Sequence, residues 1–188
     1  MPSLSEADRR ALLQLARNAV VQAVSHGGLP EQIPQDGVFA ERRGAFVTLH
    51  VQRRLRGCIG VIEADQPLGD SIARCAASSA LQDPRFPPLR TEDLAELQIE
   101  ISLLSPLAPI PLEQVEIGRH GLLIARGTQR GLLLPQVAVE HHLNREQFFE
   151  ETCRKAQLAR DLWRKSGTQL FGFTCEVFSD GPSQRLTP

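Results

Sequence analysis

The sequence lacks the features that mark membrane and secreted proteins. No apolar run approaches the roughly 18 residues that a membrane span needs. The first ten residues carry acidic side chains and no apolar core, so they do not form a secretory signal. A net charge of −1 over 188 residues provides no global field for nucleic acid or an anionic membrane. These absences predict a cytoplasmic globular protein that does not bind membranes and is not expected to bind nucleic acid.

The sequence also lacks the common spacings of metal ligands. Its four cysteines form no CxxC pair, and its five histidines show no H-x-x-x-H pattern. We therefore predict no metal and no cofactor. In a reducing cytosol the cysteines remain free thiols, and we expect Cys75, Cys153 and Cys175 to be buried as small apolar residues.

The stretch Leu55-Arg56-Gly57-Cys58-Ile59-Gly60 is the most informative part of the chain. Read as a strand, it places Leu55 and Gly57 on one face and Arg56 and Cys58 on the other, with roughly 7 Å between the last two. Glycine inside a strand weakens it and often marks the close approach of a ligand or another backbone. This pattern predicts a functional site here.

Periodicity predicts the elements around this stretch. Helical spacing predicts helices after Ser5, Pro67 and Asn144. We expect a tail that begins at Ser179 to be loose, and the absence of repeats or linkers predicts one domain over 1–188. Alternating or apolar runs predict strands at 45–49, 55–62, 97–103, 122–125, 131–137 and 170–178, the last with Phe171, Phe173, Cys175 and Val177 on one face.

Two hairpins follow from these strands. The first turns at Gln52-Arg53, where a tight turn would favour Asn-Gly or Asp-Gly. The second joins 122–125 to 131–137. A locally basic patch surrounds the first turn; its members are Arg42, Arg43, Arg53, Arg54 and Arg56. Solvated loop and turn positions are its simplest interpretation, except for Arg56, which the predicted strand places beside Cys58.

The first functional hypothesis is an enzyme that uses Cys58 as its nucleophile. A nearby cation lowers the pKa of a cysteine from about 8.5, and Arg56 is predicted to be that cation. His120, between two glycines, is the candidate base. Groups that would orient this base or hydrogen-bond a substrate are Asp83, Glu100, Ser102 and Gln136.

The second hypothesis is a binding or adaptor module. Arg56 and Arg85 would then clamp a carboxylate or phosphate of a small anionic ligand. Gly57 and Gly60 would let the ligand approach the backbone, and Cys58 would be only a wall residue. The sequence leaves both hypotheses open, so whether the protein is an enzyme is undecided at this point.

Five stretches in order resemble those of AMMECR-type domains, protein A of the AmmeMemoRadiSam system. The similarity runs from about residue 5 to 180 and implies an α+β fold: a mainly antiparallel sheet with packed helices, plus a smaller lobe that forms a cleft. It also implies that the hexapeptide 55–60 lines this cleft and that Memo-like and radical-SAM proteins are partners. These partners suggest a third hypothesis, in which the chain is a scaffold for a modifying enzyme. The matching stretches are 55–60, 83–89, 101–106, 118–121 and 133–137.

Overall fold

The structure is a computed structural model that describes residues 4–63 and 65–181. The chain divides into two compact units, the first built from residues up to Leu103 and from Glu176 onward, and the second from Leu104–Cys175. Among the described residues, no helix is both long enough and apolar enough to cross a membrane. The helices are α1 (Glu6–Ser25), α2 (Leu68–Leu81), α3 (Pro135–Glu140) and α4 (Arg145–Lys155). The strands are β1 (Ala45–Val51), β2 (Arg54–Val61), β3 (Leu97–Leu104), β4 (Ala108–Pro109), β5 (Gly121–Arg126), β6 (Gln129–Leu133), β7 (Gln169–Phe173) and β8 (Cys175–Ser179).

The first unit is a four-stranded sheet with strand order β2-β1-β3-β8, covered on one face by α1 and α2. α1 begins at a capping box, in which Ser5 and Asp8 bond each other's backbone N–H groups. Alternate residues of the central strands are buried against the helices: Ala45, Val47, Leu49 and Val51 from β1, and Leu97, Ile99, Ile101 and Leu103 from β3. Because side chains alternate across a strand, the residues between them lie on the opposite face, which we call the open face.

The β1–β2 hairpin departs from a regular ladder at two places. Its two-residue turn has positive φ angles at Gln52 (51°) and Arg53 (64°), which defines a type I′ turn. Further along, Leu49 pairs with Gly57 while His50 pairs with Leu55, so Arg56 is an extra residue in a β-bulge. The alternation predicted from sequence is therefore wrong at Leu55, which shares the open face with His50.

The second unit contains a sheet with strand order β4-β7-β5-β6. Its core includes Val115, Leu122, Ala138, Phe148 and Phe149. With two antiparallel sheets and packed helices, the α+β class predicted from the family resemblance is confirmed.

Three boundaries differ from the sequence predictions. The strand predicted over 131–137 ends at Leu133, because Pro135 occupies the first turn of α3. The single strand predicted over 170–178 is divided at Thr174 into β7 and β8, which belong to different sheets. Ser179 ends β8 rather than opening a loose tail, and the rest of the predicted tail beyond Gly181 lies outside the described residues.

Candidate functional site

Cys58, Thr48 and Glu100 form a row across three neighbouring strands of the first sheet. Thr48 is paired directly with Cys58 of β2 on one side and with Glu100 of β3 on the other. Directly paired residues share a face, so all three side chains lie on the open face. The Thr48 hydroxyl lies 3.2 Å from the Cys58 sulfur and donates a hydrogen bond to it. All three residues are partly exposed.

The surroundings of Cys58 favour the neutral thiol. Partial burial raises the pKa of Cys58, and the nearby carboxylates Asp83 and Glu100 raise it further. The hydrogen bond from Thr48 and the charge of Arg85 lower this pKa but do not reverse the shift. The thiolate, which is the nucleophilic form, is therefore a minor species near neutral pH.

Asp83 and Arg85 clamp the outer edge of β2 at Cys58. The Asp83 carboxylate accepts a hydrogen bond from the Cys58 N–H (2.9 Å), and Arg85 Nη2 donates one to the Cys58 carbonyl (3.2 Å). Arg85 also binds Asp83 through two nitrogens, Nε at 2.9 Å and Nη2 at 2.6 Å. The Asp83 side chain is only 3% exposed, and Arg85 is the main cause that holds the pKa of this carboxyl well below its usual range. Asp83 and Arg85, which the sequence analysis named as candidate site residues, thus bind the backbone of the hexapeptide.

Arg56 does not act on the thiol as the sequence analysis expects. Its guanidinium lies 3.4 Å from an Asp93 oxygen and 3.5 Å from the Pro87 carbonyl. The cation that influences the pKa of Cys58 is Arg85. The bulge explains the difference, because it removes Arg56 from the regular alternation that would place it beside Cys58.

The two glycines of the hexapeptide permit close packing within the chain. A Cβ atom on Gly57 would collide with the backbone carbonyl of Ser79 in α2. A Cβ atom on Gly60 would collide with the ring of Phe46 on the neighbouring strand. Gly57 therefore allows α2 to approach the sheet, and Gly60 makes room for an aromatic ring. These internal contacts account for both glycines, and the approach of a ligand to them stays a prediction.

His120 and Gln136 belong to the second unit. The Nδ1 atom of His120 accepts a hydrogen bond from the Glu116 N–H at 3.0 Å, and the His120 N–H donates to the Glu116 carbonyl. The Nδ1 lone pair is thereby engaged in a turn, which leaves neutral His120 with its proton on Nε2 and no free acceptor nitrogen. Gln136 lies in the first turn of α3. The role of His120 as a base is not supported by this geometry.

Ser102 is paired with Phe46, in the row of residues adjacent to the row of Cys58, Thr48 and Glu100. It is only 1% exposed, which does not suit the predicted role of a hydrogen-bonding group toward a ligand.

Cys75 and Cys153 are buried as expected, and burial raises the pKa of Cys75 to about 11. Cys175, predicted to be buried, is partly exposed. In 4–63 and 65–181, no cluster of three or more His, Cys, Asp or Glu residues could hold a metal ion.

Sequence reasoning missed Thr48, His50 and Ser79. Thr48 and His50 share the open face with Cys58, and burial lowers the pKa of His50, which keeps its imidazole neutral near pH 7. The Ser79 hydroxyl accepts a hydrogen bond from the Ile59 N–H and donates one to the Val47 carbonyl, so it joins α2 to both strands. Thr48 and His50 could have been found by pairing the hairpin across Gln52-Arg53 and following the alternation of β1.

The chain is similar to known proteins in both sequence and structure. The AMMECR1 family profile matches residues 13–178. A protein of Methanothermobacter thermautotrophicus is 38% identical over 187 residues, which cover 94% of this chain and 96% of that protein. A Thermococcus kodakarensis protein is 41% identical over 192 residues, 93% of each chain. The crystal structure of an uncharacterized Pyrococcus horikoshii protein matches with a TM-score of 0.88 and 35% identity, covering 95% of this chain and 96% of that one. The predicted resemblance is confirmed, and the chain belongs to the AMMECR1 family.

Proposed function

We propose that this AMMECR1-family chain is a non-catalytic binding module whose binding surface is the open face of the first sheet, around Cys58, Thr48, Glu100 and His50. The observation that carries the proposal is the environment of Cys58. Its pKa is raised by burial and by two carboxylates, while its hydrogen-bond partner is a neutral hydroxyl. A nucleophilic cysteine needs the opposite arrangement, with cations or a base that stabilise the thiolate.

The ion pairs of Arg85 and Arg56 argue against the second hypothesis, in which these two arginines bind a small anionic ligand. Arg85 is bound through two nitrogens to Asp83, and Arg56 faces Asp93. A carboxylate or phosphate would have to compete with these internal carboxylates for each guanidinium. Such competition costs most at Arg85, because its loss would leave the Asp83 carboxylate buried without its cation.

The chemistry of the open face suits a polypeptide better. It offers a hydroxyl, a thiol, a neutral imidazole and a carboxylate, each partly exposed, which together can accept and donate hydrogen bonds. Partner binding through a sheet face requires no activated group. The Memo-like and radical-SAM proteins that the family resemblance implies are the candidate partners, and we propose that this chain acts as their adaptor.

The proposal is tested by binding measurements with purified partners from the same organism. Isothermal titration should detect a complex with the Memo-like or the radical-SAM protein. His50→Ala and Glu100→Gln should each weaken it at least about fivefold, whereas Cys58→Ser should change affinity less than about twofold. Asn18→Ala, at an exposed position of α1 on the helix-covered side, is the matched control. Turnover of any substrate that is abolished by Cys58→Ser would contradict the proposal and restore the enzyme hypothesis.

A further inference from the structure

We infer that the hairpin tip, residues 52–55, is a docking surface for an acidic peptide segment of a protein partner. This inference rests on the proposed binding function and names the chemistry of the partner. At Leu55 the tip continues the open face, because Leu55 is paired with His50 and so lies on the same side of the sheet as Thr48. Arg54 is paired with Val51 and therefore extends from the opposite side, so the docking surface runs around the end of the hairpin.

The turn itself carries an unusual choice of residues. A type I′ turn needs positive φ at both central positions, which asparagine and glycine adopt at the lowest cost. Here Gln52 and Arg53 occupy these positions with φ angles of 51° and 64°. Gln52 is held by a hydrogen bond from its Nε2 to Glu96 Oε1 (3.0 Å), whereas the side chain of Arg53 makes no hydrogen bond to any residue that the structure describes. A strained backbone that carries a long cationic side chain outward points to use of that side chain in recognition.

The two arginines of the tip differ from several other arginines of the first unit, which are held in ion pairs. Arg53 and Arg54 are exposed, and within the described residues neither pairs with a carboxylate. By contrast, Arg9, Arg17 and Arg85 each contact a carboxylate at 2.6–3.0 Å. The tip thus presents guanidinium groups that can bind a carboxylate without first losing an internal ion pair.

The bulge adds an apolar anchor beside these charges. In a regular ladder Leu55 would share the face of Gly57, toward α2. Because Arg56 is inserted, Leu55 instead reaches the open face, where it is 39% exposed. An exposed leucine next to two unpaired arginines suits a peptide that combines acidic and apolar side chains.

Neighbouring carboxylates favour a peptide over a nucleic acid. A cavity beside the turn has a volume of about 580 Å³. It is lined by Arg53 and Gln98, but also by the carboxylate residue Glu96. Asp93 lies close by against Arg56. These negative groups would repel a continuous polyanion, whereas a peptide can place isolated carboxylates against Arg53 and Arg54.

The test uses the full chain and a displayed library of 12-residue peptides, each with two to four Asp or Glu and one Leu, Ile or Phe. Selected peptides are then measured by fluorescence anisotropy, beside versions with Gln and Asn in place of the acids and a 12-nucleotide oligothymidylate. We expect the amide versions to bind at least tenfold more weakly. The Arg53→Glu/Arg54→Glu variant should bind the selected peptides at least tenfold more weakly than the parent protein. The control Arg10→Glu/Arg74→Glu makes the same charge change at exposed helix positions and should weaken binding less than twofold.

A second variant separates recognition from folding. Gln52→Asn/Arg53→Gly should raise the urea midpoint by relieving the turn and should weaken peptide binding. A raised urea midpoint with unchanged peptide affinity would overturn the inference. Tighter binding of the oligothymidylate than of the acidic peptides would also overturn it, as would equal losses of peptide affinity in the Arg53→Glu/Arg54→Glu and Arg10→Glu/Arg74→Glu variants. If His50→Ala and Glu100→Gln lose binding while the Arg53→Glu/Arg54→Glu variant retains it, the proposed function stands and the tip inference falls.

Discussion

The Cys58 N–H donates a hydrogen bond to the carboxylate of Asp83 at 2.9 Å, so the outer edge of β2 is occupied by the chain itself at the centre of the hexapeptide. An unpaired edge strand invites association with other chains, and a bonded edge does not. Asp83 and Arg85 therefore stabilise the strand that carries Cys58, in a position where sequence reasoning predicted ligand contacts.

Asp83→Asn should destabilise the protein at pH 7. The amide cannot replace the charged contacts to both Arg85 and the Cys58 N–H, and losing a hydrogen-bonded buried charge costs about 2 kcal/mol. Urea denaturation followed by circular dichroism measures the change. The matched control is Asp65→Asn, at an exposed carboxylate, which should change the unfolding free energy by less than about 0.5 kcal/mol.

The same carboxylate predicts a dependence of stability on acid. Arg85 holds the pKa of Asp83 well below the value of about 3.9 expected in the unfolded chain. A group with a depressed folded pKa stabilises the fold above its unfolded pKa, and this stabilisation is lost as the pH falls toward the folded value. The unfolding free energy should therefore decrease below about pH 4, with a shallower decrease in Asp83→Asn. Equal slopes in the two proteins between pH 4 and pH 2 would contradict this assignment.

The sequence predicted the strands of the first unit well, because buried alternation is a local property. It placed Thr48 and Glu100 on strands whose register then brings them to Cys58. It could not predict the bulge at Arg56, since an inserted residue changes no composition and becomes visible only when a partner strand fixes the pairing. The packing role of Gly57 was equally hidden, because it depends on where α2 crosses the sheet.

The second unit shows a different limit of sequence reasoning. Gly118-Arg119-His120-Gly121 has the composition of a mobile catalytic loop, yet a histidine that hydrogen-bonds its own turn has the same local sequence. Pro135 was a local signal for the start of α3, and the apolar run before it concealed that signal. Fold class followed from the whole pattern, whereas the roles of single polar residues depended on contacts distant in the chain.

Gly57→Ala should lower the free energy of unfolding by about 2–3 kcal/mol, because the added methyl group collides with the Ser79 carbonyl and α2 must move away from the sheet. The matched control is Gly28→Ala, where the methyl group meets open space and only a left-handed φ of 79° opposes it, at about 1 kcal/mol. Thermal and urea unfolding measure both. Equal losses at the two positions would show that α2 does not pack closely on β2.

Two substitutions beside Cys58 should change its reactivity in opposite directions. Thr48→Val removes the hydrogen bond that lowers the pKa of Cys58 and should slow alkylation by iodoacetamide at pH 8. Glu100→Gln removes a carboxylate that raises this pKa and should accelerate alkylation. Each change is expected to be about two- to fivefold. The background is Cys175→Ser, so that Cys58 is the only partly exposed thiol and the buried Cys75 and Cys153 react slowly.

Arg56→Ala separates the binding module from the cysteine enzyme in the same assay. Arg56 faces Asp93, and the cation that acts on the thiol is Arg85, so the alkylation rate should stay within about 1.5-fold of the Cys175→Ser parent. A clear decrease in rate, together with a reaction that is already fast at pH 7, would mean that Arg56 does stabilise a thiolate. The nucleophile hypothesis would then regain its main support.

His120→Ala tests whether this histidine acts on Cys58 or only on its own turn. The substitution removes the acceptor of the Glu116 N–H, and loss of one exposed hydrogen bond should cost about 1 kcal/mol or less. The alkylation rate of Cys58, measured from pH 6 to pH 9 in the Cys175→Ser background, should remain unchanged at every pH. His120→Gln, whose side-chain oxygen can accept the same hydrogen bond, should recover the stability. If instead the alkylation rate falls in His120→Ala and recovers in neither variant, His120 acts as a base toward Cys58, and the cysteine-enzyme hypothesis regains support.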